Sequence, residues 1–146
     1  MATGLECRVI FLDHLSILLS GLEGDERRML DITMTKLRSL VERTGIALFL
    51  VSHLRRTNND INHEEGARVT LGQLRGSAAI AQLSDSVVAL ERDQQTDAER
   101  SLTTVRVLKN RYSGEVGVAC QLEYDLNTCK FIEHEAESEF NPATDF

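Results

Sequence analysis

The run RVIFLDH, from Arg8 to His14, decides the reading of this chain: an unbroken apolar stretch that stops on an acid. Apolar on both alternating faces, Arg8–Leu12 fits a buried strand of a parallel sheet rather than a half-solvated antiparallel one. ALFLVSH, from Ala47 to His53, repeats the pattern and stops on an imidazole. Between the two, Met29, Ile32, Leu37 and Leu40 recur at near-helical spacing among charges, which predicts a helix over 25–41. Gly24 and Asp25 suit its start and Gly45 its end. With Ile46–Ser52 as the second strand, the order is strand, helix, strand: one crossover, expected to be right-handed.

Working outward, the pattern changes. Residues 54–70 are polar, rich in Arg, Asn and Glu, and predict an exposed loop. Leu71–Leu83 reads as a short helix carrying Gly72 and Gly76. Val87–Leu90, Leu102–Leu108, Val116–Tyr124 and Lys130–Ile132 read as strands joined by hairpin-like turns, Asp125-Leu126-Asn127-Thr128 among them. Residues 133–146 are acidic and are expected to be a disordered tail. The class is therefore α/β, with parallel strands first and antiparallel hairpins later.

Composition narrows the possibilities without naming a function. A length of 146 residues fits one domain, and 42% hydrophobic residues with a single Pro suit a cored, regular structure. No stretch has the length of a membrane span, and the N-terminus lacks the charged-then-apolar order of a signal peptide. Cys7, Cys120 and Cys129 lack metal-ligand spacing, so reduced thiols in a cytoplasm are expected. A net charge of −7 argues against indiscriminate nucleic-acid binding. Five of the acids (Glu133, Glu135, Glu137, Glu139 and Asp145) follow Lys130 with no Lys or Arg among them, so removing them leaves about −2 for the rest.

The strand ends carry the chemistry. Ligands of open parallel sheets sit beyond the carboxyl ends of the strands. Asp13 is expected there, able to hold Mg²⁺ through water as hard-cation sites prefer. His53, ending the adjacent strand, is placed to sense a terminal phosphate. The alternative is that both merely cap strands at a polar surface. Lys109-Asn110-Arg111 adds two cations on alternate residues, which phosphoryl transfer also calls for. No G-x-x-x-x-G-K-[ST] phosphate cradle occurs in the sequence, and His14 rather than a glutamate follows Asp13.

VIFLDHLSILLS, DERRMLDITMTKLRSLVERTGIALFLVSHLR, HEEG, LRGSAAIAQLSDSVVALERDQQ, LKNRYSGEVG and the terminal ATDF, in this order, resemble the helicase half of the T-seven-type phage primase-helicases. The chain is similar, more distantly, to the mitochondrial helicase Twinkle and the bacterial helicase DnaB. The resemblance implies a RecA-like core in a hexameric ring that hydrolyses NTP (ATP or dTTP) with Mg²⁺ between subunits and draws single-stranded DNA through its centre. It implies that residues 1–132 form the C-terminal part of that ATPase domain and 133–146 a tail. The P-loop and catalytic glutamate are then expected upstream. A chain without them is expected to hydrolyse nothing alone and to expose apolar edges around Arg8–Leu12. A phage-infected bacterial cytoplasm is the implied location.

The same resemblance assigns roles. Asp13 matches the Walker B acid and metal ligand, His53 the phosphate sensor, and Gln82 a residue coupling phosphate to DNA. Lys109 and Arg111 match the basic pair that enters the neighbouring subunit's site, Arg111 as arginine finger. Arg92 and Tyr124 match residues sandwiching the nucleotide base, for which guanidinium and phenol faces are suited. Arg55 keeps a charge at the first of the family's DNA-facing lysine positions in the loop after His53, and Arg56 adds one. Independently, Arg75-Gly76-Ser77 at the next helix is suited to offer backbone N–H groups and a guanidinium to DNA phosphate, so these residues and Asn59 are the DNA-facing candidates. Asn59 and Ile61 stand where the family has lysines, so fewer phosphates are neutralised per subunit and the salt dependence of binding is expected to be shallower. Asp145 and Phe146 end an acidic tail that resembles the family's polymerase-docking segment, steering by charge and anchoring by one aromatic. Acidic tails also serve simply to solubilise.

Three function classes fit these residues. One is part of a replicative ring helicase; another is a non-catalytic partner module lending a finger and a docking tail. The third is another RecA-core protein, such as a recombinase, although Lys109-Asn110-Arg111 with Gly114 close behind favours ring helicases.

Overall fold

A computed structural model describes residues 6–19, 24–55, 62–74, 78–96 and 102–134. The element order is β1 (Val9–Leu12), α1 (Leu15–Leu19), α2 (Glu26–Thr44), β2 (Ala47–Leu50), a 3₁₀ turn (Leu71–Gln73), α3 (Ala78–Leu83), β3 (Ser86–Glu91), β4 (Leu102–Asn110), β5 (Gly117–Asp125) and β6 (Lys130–His134). Among the described residues the strands form two sheets, β1-β2 and β3-β4-β5-β6.

β1 and β2 pair parallel, in register from Val9 with Ala47 to Leu12 with Leu50. The crossover that parallel pairing requires is α2. Its first turn is capped by Asp25, whose carboxylate accepts from the Arg27 N–H at 2.9 Å. Its last turn closes when Gly45, at φ 67°, donates to the Val41 carbonyl at 2.8 Å. The helix runs to Thr44, past the expected end at Val41, because the αL residue that stops it is Gly45.

The core gathers Leu15 and Leu19 of α1, Leu30 and Met34 of α2, Leu74, and Ile80 of α3. Spaced four apart, Leu15 and Leu19 share one face of α1, as do Leu30 and Met34 on α2. Leu83 and Val87 pack on this cluster and tie the antiparallel sheet to it. Burying a leucine of this kind contributes about 1.5–3 kcal/mol.

Three sequence expectations are corrected. Leu71–Leu83 is not one helix: Leu71–Gln73 is a 3₁₀ turn and α3 begins at Ala78. Leu74 between them is extended and bridges Leu54, while the Gln73 side chain accepts from the Thr70 N–H at 2.7 Å, so the backbone is committed elsewhere. Nor is all of 54–70 exposed. Val69 is 2% exposed, and its N–H donates to Glu91 Oε1 at 2.7 Å. The tail cannot start at 133, because Glu133 and His134 pair with Leu122 and Gln121 in the β5–β6 ladder.

The hairpins are close to expectation. β3, β4, β5 and β6 form an antiparallel meander, with register shifts at Val87/Val88 and Val105/Arg106. In the β5–β6 turn the Asp125 carboxylate accepts from the Asn127 N–H (2.8 Å) and the Thr128 hydroxyl (2.7 Å). These bonds, the hydroxyl's foremost, hold the Asp125 carboxyl below its usual value. The expected apolar exposure is present at β1 and β2. Phe11 is 74% and Phe49 54% exposed, their rings stacked with centroids 4.7 Å apart. Cys7, Cys120 and Cys129 are free thiols.

Candidate functional site

Parallel registry places the residues after β1 and β2 at one edge. The Val51 N–H donates to the Leu12 carbonyl and the Leu15 N–H to the Val51 carbonyl, both at 3.0 Å. These bonds hold the turn into α1 against the segment leaving β2. Asp13 stands there with its side chain 80% exposed, and His14 Nδ1 lies 3.6 Å from Asp13 Oδ1. The His14 and His53 rings meet edge to face, centroids 4.2 Å apart at 63°. Acid, first imidazole and second imidazole form a continuous row. Leu15, Ser16, Leu19, Glu26, Leu30, Ser52 and His53 line a shallow pocket beside it.

As a metal site this edge offers one exposed carboxylate. Among the described residues no group of three or more His, Cys, Asp or Glu is arranged to hold an ion. A lone exposed carboxylate fits Mg²⁺, which keeps several waters and takes one or two carboxylates plus substrate phosphate oxygens.

Gln82, Lys109 and Arg111 come together at the C-terminus of α3. Lys109 Nζ donates to the carbonyls of Ala81 (2.6 Å), Gln82 (3.2 Å) and Ser84 (2.8 Å). A cation on the last carbonyls satisfies acceptors the helix cannot and meets the negative end of its dipole. Arg111 Nη2 donates to the same Gln82 carbonyl at 3.0 Å, and Arg111 Nη1 pairs with Asp85 Oδ1 at 3.0 Å. Asp85 in turn accepts from Arg38 Nη1 of α2, at 2.8 Å to each oxygen. Arg38 Nε also donates to Glu42 at 2.7 Å. The Glu42 bond and then Asp85 keep Arg38 firmly protonated, above its usual value. Gln82 is exposed, and the part of it that engages both cations is its backbone carbonyl.

Arg92 follows β3 and is exposed, while Tyr124 on β5 packs its ring on Phe131 of β6, centroids 5.1 Å apart. Immediately before Arg92, Glu91 is buried. Its carboxylate accepts from Arg106 Nε (2.8 and 3.0 Å) and from the Val69 N–H. Burial pushes the Glu91 carboxyl up, but Arg106 and the Val69 N–H outweigh it and leave the group below its usual value.

Arg55 is exposed, and its backbone is fixed at both ends. Its N–H donates to the Gln73 carbonyl at 2.8 Å, and its carbonyl lies 3.1 Å from His63 Nε2. Arg56, Asn59, Arg75, Gly76, Ser77, Asp145 and Phe146 lie outside the described residues. Sequence reasoning passed over His14, Arg38, His63 and Asp85. HEEG flagged His63 only as part of a motif, and nothing local marked Asp85, whose partner on α2 is 47 positions away.

Residues 1–133 match the family model described as the DnaB-like helicase C terminal domain. The chain is 47% identical over 129 residues to the DNA helicase/primase of Enterobacteria phage T3, covering 88% of this chain and 23% of that protein. Its fold resembles a solved structure described as an ATPase domain, with a TM-score of 0.68 at 23% identity over 87% of this chain and 44% of that one. It also resembles a structure described as a DnaB-like replicative helicase and its interactions with primase, with a TM-score of 0.66 at 22% identity over 85% of this chain and 29% of the other. The present chain thus spans less than a quarter of its phage relative and less than half of either solved neighbour. The architecture is RecA-like, as the motifs implied. With a family model matched over nearly its whole length, the chain belongs to the DnaB-like helicase C-terminal domain family.

Proposed function

We propose that this chain is part of a replicative ring helicase that couples NTP hydrolysis between subunits to movement along single-stranded DNA. The observation that supports the reading best is the row Asp13–His14–His53 at the paired ends of β1 and β2, in a chain of this family. The Asp13 carboxylate would hold Mg²⁺, which would neutralise charge on the phosphates. His53, one ring contact from the residue after that acid, takes a terminal phosphate as its partner and passes its presence to Arg55 two positions on. Arg92 and Tyr124 stack on the base, with Phe131 supporting the phenol ring.

Arg111 acts in the neighbouring subunit's site, where a guanidinium stabilises charge developing on the transferred phosphoryl group. Finger residues of this kind are worth about 10³–10⁵ in turnover. Arg55, Arg56, Asn59 and the Arg75-Gly76-Ser77 segment face DNA phosphates, Gln82 links them to the nucleotide, and the tail ending in Asp145 and Phe146 docks a polymerase. Phosphate cradle and catalytic glutamate are supplied outside this segment, so the segment alone turns over no nucleotide. In the full-length protein, Arg111→Ala is expected to cut DNA-stimulated hydrolysis about 10³-fold or more, to a small residual rate, while leaving nucleotide binding nearly intact. Equal loss of both sinks the finger role.

A further inference from the structure

Arg111 does not project freely from the end of β4. Its backbone N–H donates to the Asp85 carbonyl at 2.8 Å, and its side chain pairs with the carboxylate of the same residue. Asp85 is itself held: one Arg38 nitrogen spans both its oxygens, and Arg38 is braced by Glu42 one turn further along α2. A carboxylate shared by two guanidinium groups is fixed on one side by the longest helix described, and fixes on the other the plane of the Arg111 fork. Gln82 supplies the second point of that plane. Two points orient a planar guanidinium, and its Nε–H and outer N–H groups remain to donate elsewhere.

We propose that Asp85 is a positioning residue for the arginine finger, with Arg38 as its anchor on α2. The proposal rests on the finger reading of Arg111. Asp85 touches no nucleotide; it holds Arg111 in one orientation before the neighbouring phosphates arrive, so less freedom is lost when the fork engages. As a surface ion pair alone, the same contacts would matter little. What distinguishes the two roles is dependence on Arg111.

The test is a double-mutant cycle in the full-length hexamer, following single-stranded-DNA-stimulated NTP hydrolysis at enzyme concentrations where residual rates stay readable. Asp85→Asn keeps the shape and removes the charge. It is expected to lower kcat about five- to twentyfold with KM unchanged and ring assembly by gel filtration intact, a prepositioning loss well below that of the finger itself. In the Arg111→Ala background, Asp85→Asn is expected to add nothing. A kcat within twofold of wild type, or an equal further loss in the Arg111→Ala background, overturns the positioning role while leaving the finger standing. Wild-type kcat in Arg111→Ala alone overturns the finger instead. Should Asp85→Asn fail to assemble, Arg38→Met decides, since it leaves the carboxylate in place without its anchor. The same kcat-only loss supports the proposal, and wild-type kcat refutes it.

Discussion

Replacing Glu91 by Gln tests whether the antiparallel sheet holds the return of the 54–70 loop by charge or merely by shape. The Glu91 side chain is 6% exposed and that of Arg106 16%, and the carboxylate accepts from two N–H groups, the Arg106 Nε–H shared between its two oxygens and the Val69 N–H. Gln keeps one acceptor oxygen but surrenders the charge, leaving Arg106 half-buried without its counter-ion. Hydrogen bonds to charged groups are worth about 1.5–3 kcal/mol, so Glu91→Gln is expected to cost about 2–3 kcal/mol. At about 2–4 °C per kcal/mol for a domain of this size, the melting transition should fall about 4–12 °C at pH 7. The pH dependence fixes the cause. A carboxyl whose folded value lies below its unfolded one stabilises above the unfolded value, about 4.3 for Glu, and loses that contribution as pH falls through the folded value. The gap between wild type and Glu91→Gln should therefore be full at pH 7 and shrink below about pH 4. Calorimetry at the two pH values reads both. A gap of the same size at both pH values would falsify the charge argument and leave only shape.

Two further perturbations address the nucleotide edge and the loop. His53→Ala removes the ring against His14 and is expected to uncouple NTP from DNA affinity, reducing the nucleotide-induced gain in single-stranded-DNA binding to within about twofold of none; DNA binding that still tightens normally with NTP contradicts the sensor role. His63→Ala frees the carbonyl of Arg55 and should weaken DNA binding about three- to tenfold, the worth of one hydrogen bond, with DNA-independent hydrolysis unchanged. His63→Gln, which restores a donor, should recover most of it, and loss of hydrolysis without DNA would place His63 elsewhere in the mechanism.

What could be read in the sequence was whatever local periodicity controls. β1 and β2 announced themselves by being apolar on both faces, and α2 by its charged stripe between Asp25 and Gly45. α1 escaped because Leu-Ser-Ile-Leu-Leu is too short and too apolar to show a helical stripe, although Leu15 and Leu19 are its buried face. The break at Leu74 escaped for a different reason: its extended state is set by the bridge to Leu54, a partner no window around Leu74 contains. Asp13 and His53 were legible as neighbours beyond adjacent strand ends, because each closes an apolar run. Asp85, Arg38 and His63 were not, since each matters through a contact made across the fold.

The basic pair shows what the structure adds to a motif. Lys109 and Arg111 read alike in sequence, two cations on alternate residues, yet their donors are spent differently. An ammonium has three N–H groups, and Lys109 directs bonds to three carbonyls at the end of α3. Its strongly hydrated charge is drawn from water only because those carbonyls replace the water, so leaving them would strand helix acceptors as well as the cation. A guanidinium has five N–H groups, and Arg111 spends one on Gln82 and pairs another with Asp85. Arg111 can therefore meet a phosphoryl oxygen while staying anchored, and Lys109 cannot without releasing α3. On this account the two cations divide the work: Lys109 pins the end of β4 to α3, and Arg111, anchored on Gln82 and Asp85, keeps donors to spare.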